Sequence, residues 1–183
     1  MELSEKTRIE SLAKKAARGN VNAYGALITY YQDYLYRVAF LYVKNEELAL
    51  DAVGECILEA FRSIRTLQKP EYFKTWLTRI LIRCSARVFK QTIACAPTDM
   101  TDTIQPAAPE PSVTPEEKWD LYDAIDVLPE KYRTVIILRY FSDLSIREIA
   151  SVMEIPEGSV KSYLNRAKAA LRTTLKEDYY YAT

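Results

Sequence analysis

Apolar residues return every three or four positions along most of this chain, and no segment alternates them every second position, so the pattern supports helices and nothing else. Ile9, Leu12, Ala13 and Ala16 line one face of a first helix, and Gly19 is placed to end it. A second helix begins after Asn22 and runs to about Val43, with Tyr24, Leu27, Ile28, Tyr31, Leu35, Val38 and Tyr42 on one stripe. A third starts at Asn45, a residue type that caps helices, and buries Ala49, Ala52, Val53, Cys56, Ile57, Ala60, Phe61 and Ile64. Its opposite side carries Asp51, Glu55 and Glu59 at four-residue spacing. A fourth starts near Pro70 and packs Phe73, Trp76, Leu77, Ile80, Leu81, Cys84 and Val88, which completes one small bundle.

A second set of helices follows a break. The segment 92–128 holds Pro97, Pro106, Pro109, Pro111 and Pro115, and there is little apolar periodicity from Gln91 to Thr114, the composition of a semi-extended linker. Thr114-Pro-Glu-Glu117 is a capping box with proline at the first helical position, which predicts a helix from Pro115 to about Val127. Pro129 restarts the chain as another helix carrying Tyr132, Val135, Ile136 and Arg139. Ser145-Ile-Arg-Glu148 is a second capping box and opens a short helix with Ile146, Ile149, Ala150 and Met153. Glu154 to Gly158 forms a turn, and a last helix turns Val160, Leu164, Ala167, Leu171 and Leu175 inward. The fold class is therefore all-α: two small helical domains, 1–91 and 115–183, joined by an acidic, Pro-containing flexible linker over 92–114. The second domain contains a helix-turn-helix.

The charges follow the same division. The 183 residues hold 25 basic and 25 acidic side chains, a net charge of zero that argues, taken whole, against a nucleic-acid binder. By segment, 1–91 is +5, 92–128 is −7 and 129–183 is +2. The zero is a cancellation. The chain has no histidine, which removes Ser-His and Cys-His nucleophile pairs and imidazole metal ligands. Cys56, Cys84 and Cys95 are odd in number and lack CxxC spacing, so neither a disulfide framework nor a thiolate metal site is indicated; free thiols in a reducing cytosol is the reading. The N-terminus has no apolar core of a signal peptide, and no stretch approaches the ~18 apolar residues of a membrane span. The expectation is a cytoplasmic protein without direct membrane insertion, without a cofactor, and not an enzyme.

Three faces carry the chemistry that remains. From Gly158 to Lys176 there are five cations and no acid, on the second helix of the helix-turn-helix; Lys161, Ser162, Asn165 and Arg166 fall in its early turns, where side chains of this motif reach base edges while neighbouring cations such as Lys168 meet phosphate. From Tyr72 to Gln91 stand Lys74, Arg79, Arg83, Arg87 and Lys90, again without acid, with Tyr72, Phe73 and Trp76 at the start of the helix. Cations interleaved with aromatic rings suit a single strand, whose backbone follows the charge and whose unstacked bases lie on the rings. Glu46, Glu47, Asp51, Glu55 and Glu59 make an acidic face on an otherwise apolar helix, misplaced for DNA and suited to solvent or to a basic protein partner.

"DAVGECILEAF" (Asp51 to Phe61), "YFKTWLTRILIRCSARVF" (Tyr72 to Phe89) and the helix-turn-helix segment from Leu128 to Leu171, in that order around an acidic linker, resemble a bacterial RNA polymerase sigma factor of the small extracytoplasmic-function group. The resemblance implies that Asp51, Glu55 and Glu59 dock on the clamp coiled coil of core RNA polymerase. It implies further that Tyr72, Phe73, Lys74, Trp76, Arg79, Arg83 and Arg87 open the minus-ten element of promoter DNA and hold its non-template strand. Arg139, Ser145, Lys161, Ser162, Asn165, Arg166 and Lys168 are then the readers of the minus-thirty-five element, and an anti-sigma factor, often membrane-anchored in this group, is the implied regulator. Gly54 stands where the docking motif commonly has Gln, and Arg83 where many members have Asn. The rival readings are a stand-alone helix-turn-helix regulator, which leaves the acidic face and the basic-aromatic helix unexplained, and a helical adaptor that binds protein only.

Overall fold

The computed structural model describes residues 2–95 and 124–181, with side chains described for 5–92 and 124–173. The chain divides into two compact units, Met1–Pro106 and Ala107–Thr183. All regular structure among the described residues is helical.

In the first unit α1 (Glu2–Ala17) ends where the sequence places its stop: Gly19 takes φ +95 and donates its N–H to the Ala16 carbonyl at 2.8 Å. Helix α2 (Val21–Val43) starts two residues before the predicted boundary, because Asn20 rather than Asn22 is extended and accepts the Ala23 N–H at 2.9 Å. Lys44 closes α2 in the left-handed region, its N–H on the Phe40 carbonyl, and Asn45 at once caps α3 (Glu46–Ser63) by accepting the Leu48 N–H at 2.9 Å. A left-handed residue followed by an extended cap reverses the chain in two residues, which lays α3 against α2. Two 3₁₀ turns, Ile64–Thr66 and Pro70–Tyr72, lead into α4 (Phe73–Cys95).

The core of this unit is Leu27, Leu35 and Val38 from α2 with Phe73, Leu77 and Leu81 from α4. Helix α3 enters it with small residues only: Ala49, Ala52, Cys56 and Ala60 are fully buried. Side chains at the contact set the distance between helix axes, so this seam lets α3 lie close to its neighbours. Phe61, predicted to be core, lies on the other side of α3 from this seam; it is 46% exposed and covers the rim edge-on to Tyr24 at 5.2 Å. The Tyr24 hydroxyl donates to the Ile57 carbonyl at 2.6 Å, and burial pushes its pKa well up. Thr78, buried in α4, donates to the Lys74 carbonyl at 2.8 Å and accepts from the Tyr34 hydroxyl at 2.7 Å, so a polar group inside the bundle is fully used.

The second unit is described from Ala124. The capping box at Thr114 and the helix predicted from Pro115 lie outside the described residues as far as 123, and 124–126 are helical. Helix α5 (Glu130–Ile136) follows Pro129, whose carbonyl accepts the Tyr132 and Arg133 N–H groups, and it runs on as a wider π turn over Ile137–Phe141. Asp143 at φ 55 then turns the chain into the Ser145 cap of α6 (Ile146–Met153). The capping box forms as predicted: Ser145 Oγ accepts the Glu148 N–H at 3.3 Å, and Glu148 Oε2 accepts the Ser145 N–H at 2.9 Å. Glu154 at φ 57 ends α6, and α7 (Glu157–Tyr181) follows. Ile125, Val135, Ile137, Leu138, Ile149, Val152, Val160 and Ala167 form the core; Val152, rather than the predicted Met153, is the inward residue at the end of α6.

Candidate functional site

On α3 the acidic residues run from the outer surface towards α4. Asp51 is exposed, while Glu55 and Glu59 are partly covered. Arg87 of α4 reaches across to both: its Nε and Nη2 donate to Glu55 Oε2 at 3.1 and 2.8 Å, and Nη2 donates to Glu59 Oε2 at 3.3 Å. Cys84, buried below, donates its S–H to the same Glu59 oxygen at 3.7 Å. Burial, and then the Glu59 carboxylate, push that thiol up to about 12, so it is a packed proton donor and not a nucleophile. Arg87, placed by spacing on one face with Arg79 and Arg83, is therefore turned to the acidic helix.

Sequence reading missed the apolar half of that surface. Leu50 and Leu58 are 56% and 58% exposed, with Gly54 midway between them and Phe61 one turn on, so an apolar strip runs beside Asp51 and Glu55. The available signal was negative: these positions lie opposite the Ala49-Ala52-Cys56-Ala60 seam, so a leucine there has no core to enter. Large exposed apolar residues in a row mark an interaction surface.

At the start of α4 the predicted base-contacting group separates. Tyr72 is 46% exposed with Lys69 Nζ 5.9 Å from its ring centre, and Lys74 Nζ lies 4.7 Å from the ring centre of Tyr34. Arg83 is exposed; Arg79 and Trp76 are half-buried. Phe73 is different. It is 1% exposed, packed between Tyr31 and Trp76 at 5.7 and 5.8 Å, so it is a core residue and supports its neighbours instead of receiving a base. Tyr30 and Tyr31 of α2 open with Lys74 and Pro70 onto a surface cavity of about 310 Å³, aromatic surface that the sequence reading left out.

In the second unit Lys161, Asn165, Lys168 and Arg172 are exposed at helical spacing along α7. Arg166 stands on the adjoining flank and reaches the Tyr132 hydroxyl at 3.5 Å, and Lys168 Nζ lies 5.6 Å from the ring centre of Tyr140. Ser162 is partly covered. Arg139 and Ser145 serve the fold: Arg139 Nη1 donates to the Leu144 carbonyl at 2.9 Å, and the Ser145 hydroxyl belongs to the capping box, donating to Glu148 Oε2 at 2.7 Å. Among the described residues no group of His, Cys, Asp or Glu could hold a metal ion, and no helix is long and apolar enough to cross a membrane.

An acidic and apolar helix face beside a basic, aromatic helix in one unit, with a helix-turn-helix in the other, define an all-helical protein of the transcription machinery. Residues 27–92 match the family "Sigma-70 region 2" and residues 118–171 match "Sigma-70, region 4". The chain is 38% identical over 155 residues to RNA polymerase sigma factor SigV of Bacillus subtilis (strain 168), across 82% of this chain and 90% of that protein. It is 31% identical over 190 residues to the ECF RNA polymerase sigma factor SigW of the same strain, across 97% of this chain and 100% of that protein. The fold is also that of the sigma factor RpoE of Bartonella quintana, solved with the anti-sigma factor NepR, at a TM-score of 0.72 and 21% identity, covering 85% and 98% of the two chains. The chain belongs to the RNA polymerase sigma factors, in the extracytoplasmic-function group. It is a promoter-directing transcription initiation factor, and the stand-alone regulator is not favoured. Sigma factors are non-enzymatic transcription factors.

Proposed function

We propose that the first unit docks on core RNA polymerase through Asp51, Glu55 and Glu59 with the apolar strip of Leu50 and Leu58, and acts on the minus-ten element through Tyr72, Lys74, Trp76, Arg79 and Arg83. The second unit reads the minus-thirty-five element through Lys161, Ser162, Asn165, Arg166 and Lys168. The working division is a domain over 1–91, a linker over 92–114 and a domain over 115–183. The observation that carries this reading is the separation of charge by surface. The outer side of α3 offers carboxylates and leucines and repels phosphate; the basic side of α4, and the outer side of α7 from Gly158 to Arg172 after the exposed Glu157, offer cations, amide and rings without an acid. Cations positioned on phosphate supply affinity, and the polar side chains of a helix in the major groove supply sequence choice.

The protein works in the cytoplasm, carries no catalytic group of its own, and has an anti-sigma factor as its regulator; the RpoE–NepR complex supports that last point by likeness of fold. Two substitutions test the main reading in purified transcription. Asp51→Lys is expected to impair holoenzyme assembly on every promoter. Arg166→Ala is expected to leave assembly intact and to cost about 1–3 kcal/mol in discrimination at one base pair of the upstream element. Normal assembly by the first variant, or unchanged transcription across upstream-element variants by the second, rejects the corresponding assignment.

A further inference from the structure

Glu55 and Glu59 stand one helical turn apart, a spacing at which like charges repel, and a glutamate side chain at a surface samples several rotamers. Arg87 removes both problems from the neighbouring helix. Three of its hydrogen bonds go to Oε2 of the two carboxylates and a fourth, from Nη2 at 3.5 Å, to Cys84 Sγ; Cys84 adds an S–H on Glu59 Oε2, and Oε1 of either glutamate accepts no hydrogen bond among the described residues. Each acid is thus fixed through one oxygen and keeps the other for a partner's donors. The side chains are 47% exposed for Arg87 and 40% for each glutamate, so water screens the cluster and its value to stability is small. What the cluster changes is geometry. A phosphate approaching Arg87 would meet the two carboxylates it already bridges.

The geometry points to Arg87 as a positioning residue for polymerase docking: from α4 it holds Glu55 and Glu59 in place, so that the docking face is built by two helices and not by α3 alone. This rests on the reading of α3 as the docking face. Side chains ordered in advance need not be ordered on association, and losing part of that advantage for two half-exposed glutamates weakens binding by roughly three- to tenfold.

The test measures affinity of the full-length chain for core polymerase and, separately, promoter opening by holoenzyme assembled at saturating sigma. R87Q is expected to weaken core affinity by about three- to tenfold, to add little in an E55Q/E59Q background, and to leave promoter opening by saturated holoenzyme unchanged. Non-additivity is the mark of residues acting through one another. R87K, which returns the charge without the planar fork, is expected to keep the fold and recover part of the affinity. Unchanged or tighter core binding by R87Q, full additivity with E55Q/E59Q, no recovery by R87K, or a defect confined to promoter opening each overturns the proposal. Asp51→Lys separates the two levels. If it abolishes core binding while R87Q has no effect, the positioning role alone fails; if it too leaves binding intact, the docking face itself is wrong.

Discussion

Two glycines have opposite consequences for the same substitution. Gly54 lies inside α3 on its exposed side, and a methyl group added there meets nothing within 4 Å. Alanine exceeds glycine in helix propensity by about 1 kcal/mol, so Gly54→Ala is expected to stabilise the first unit by about that amount in chemical denaturation. Gly19 holds φ +95 at the end of α1, a conformation in which a β-carbon is strained whatever the space around it. Gly19→Ala is expected to destabilise by about 1–2 kcal/mol in the same experiment. Equal effects at the two positions would contradict the backbone assignment of one of them. Arg87 and Phe73 show the limit of residue-level reading from sequence. Phe73 falls both on the apolar stripe of α4 and on its aromatic run, and packing against α2 decides for the core; Arg87 falls on a basic run, and packing against α3 turns it to the acidic helix.

At the scale of elements, what was legible is what local chemistry decides. Asn45, Gly19 and the Ser145–Glu148 box each mark a boundary through hydrogen bonds that span at most four residues, and each stands where the sequence puts it. The start of α2 was misplaced by two residues because Asn20 and Asn22 are equally good caps in isolation, and the backbone at Asn20 selects one. The outward leucines of α3 were legible only by exclusion: Leu50 and Leu58 lie opposite the seam of Ala49, Ala52, Cys56 and Ala60, beside the acidic residues, and their exposure follows once that seam is known to be the buried side. Ser145 gives the element-level test. As a cap, its replacement by alanine should cost about 1 kcal/mol of stability in the second unit. As a DNA contact alone, it would spare stability and weaken only upstream-element reading; thermal unfolding of Ser145→Ala distinguishes the two.

For the whole molecule, the balance of energies favours a subunit over a solitary DNA binder. Opening duplex costs about 1.4 kcal/mol per stacking step, and each captured base returns about 1–3 kcal/mol. One small basic-aromatic face breaks even at best, so the isolated chain is expected to show weak, salt-sensitive binding to promoter duplex in a gel-shift assay, and tight site-specific binding only with core polymerase. Holoenzyme affinity should fall with salt at a log–log slope near −0.9 per neutralised phosphate. Tight binding by the free chain would refute this. The zero net charge, an obstacle when averaged, is the sum of segments of +5, −7 and +2, which the proposed function assigns to different partners. The seam of Ala49, Ala52, Cys56 and Ala60 adds a consequence for how such a protein can change. Because the fully buried positions of α3 are only these four small residues, the outward Leu50, Asp51 and Leu58 are little constrained by folding, and substitutions there need no compensating change inside. Under the proposed docking role, a saturation scan of α3 is expected to separate into two sets, one governing whether the chain folds and the other governing how it binds polymerase.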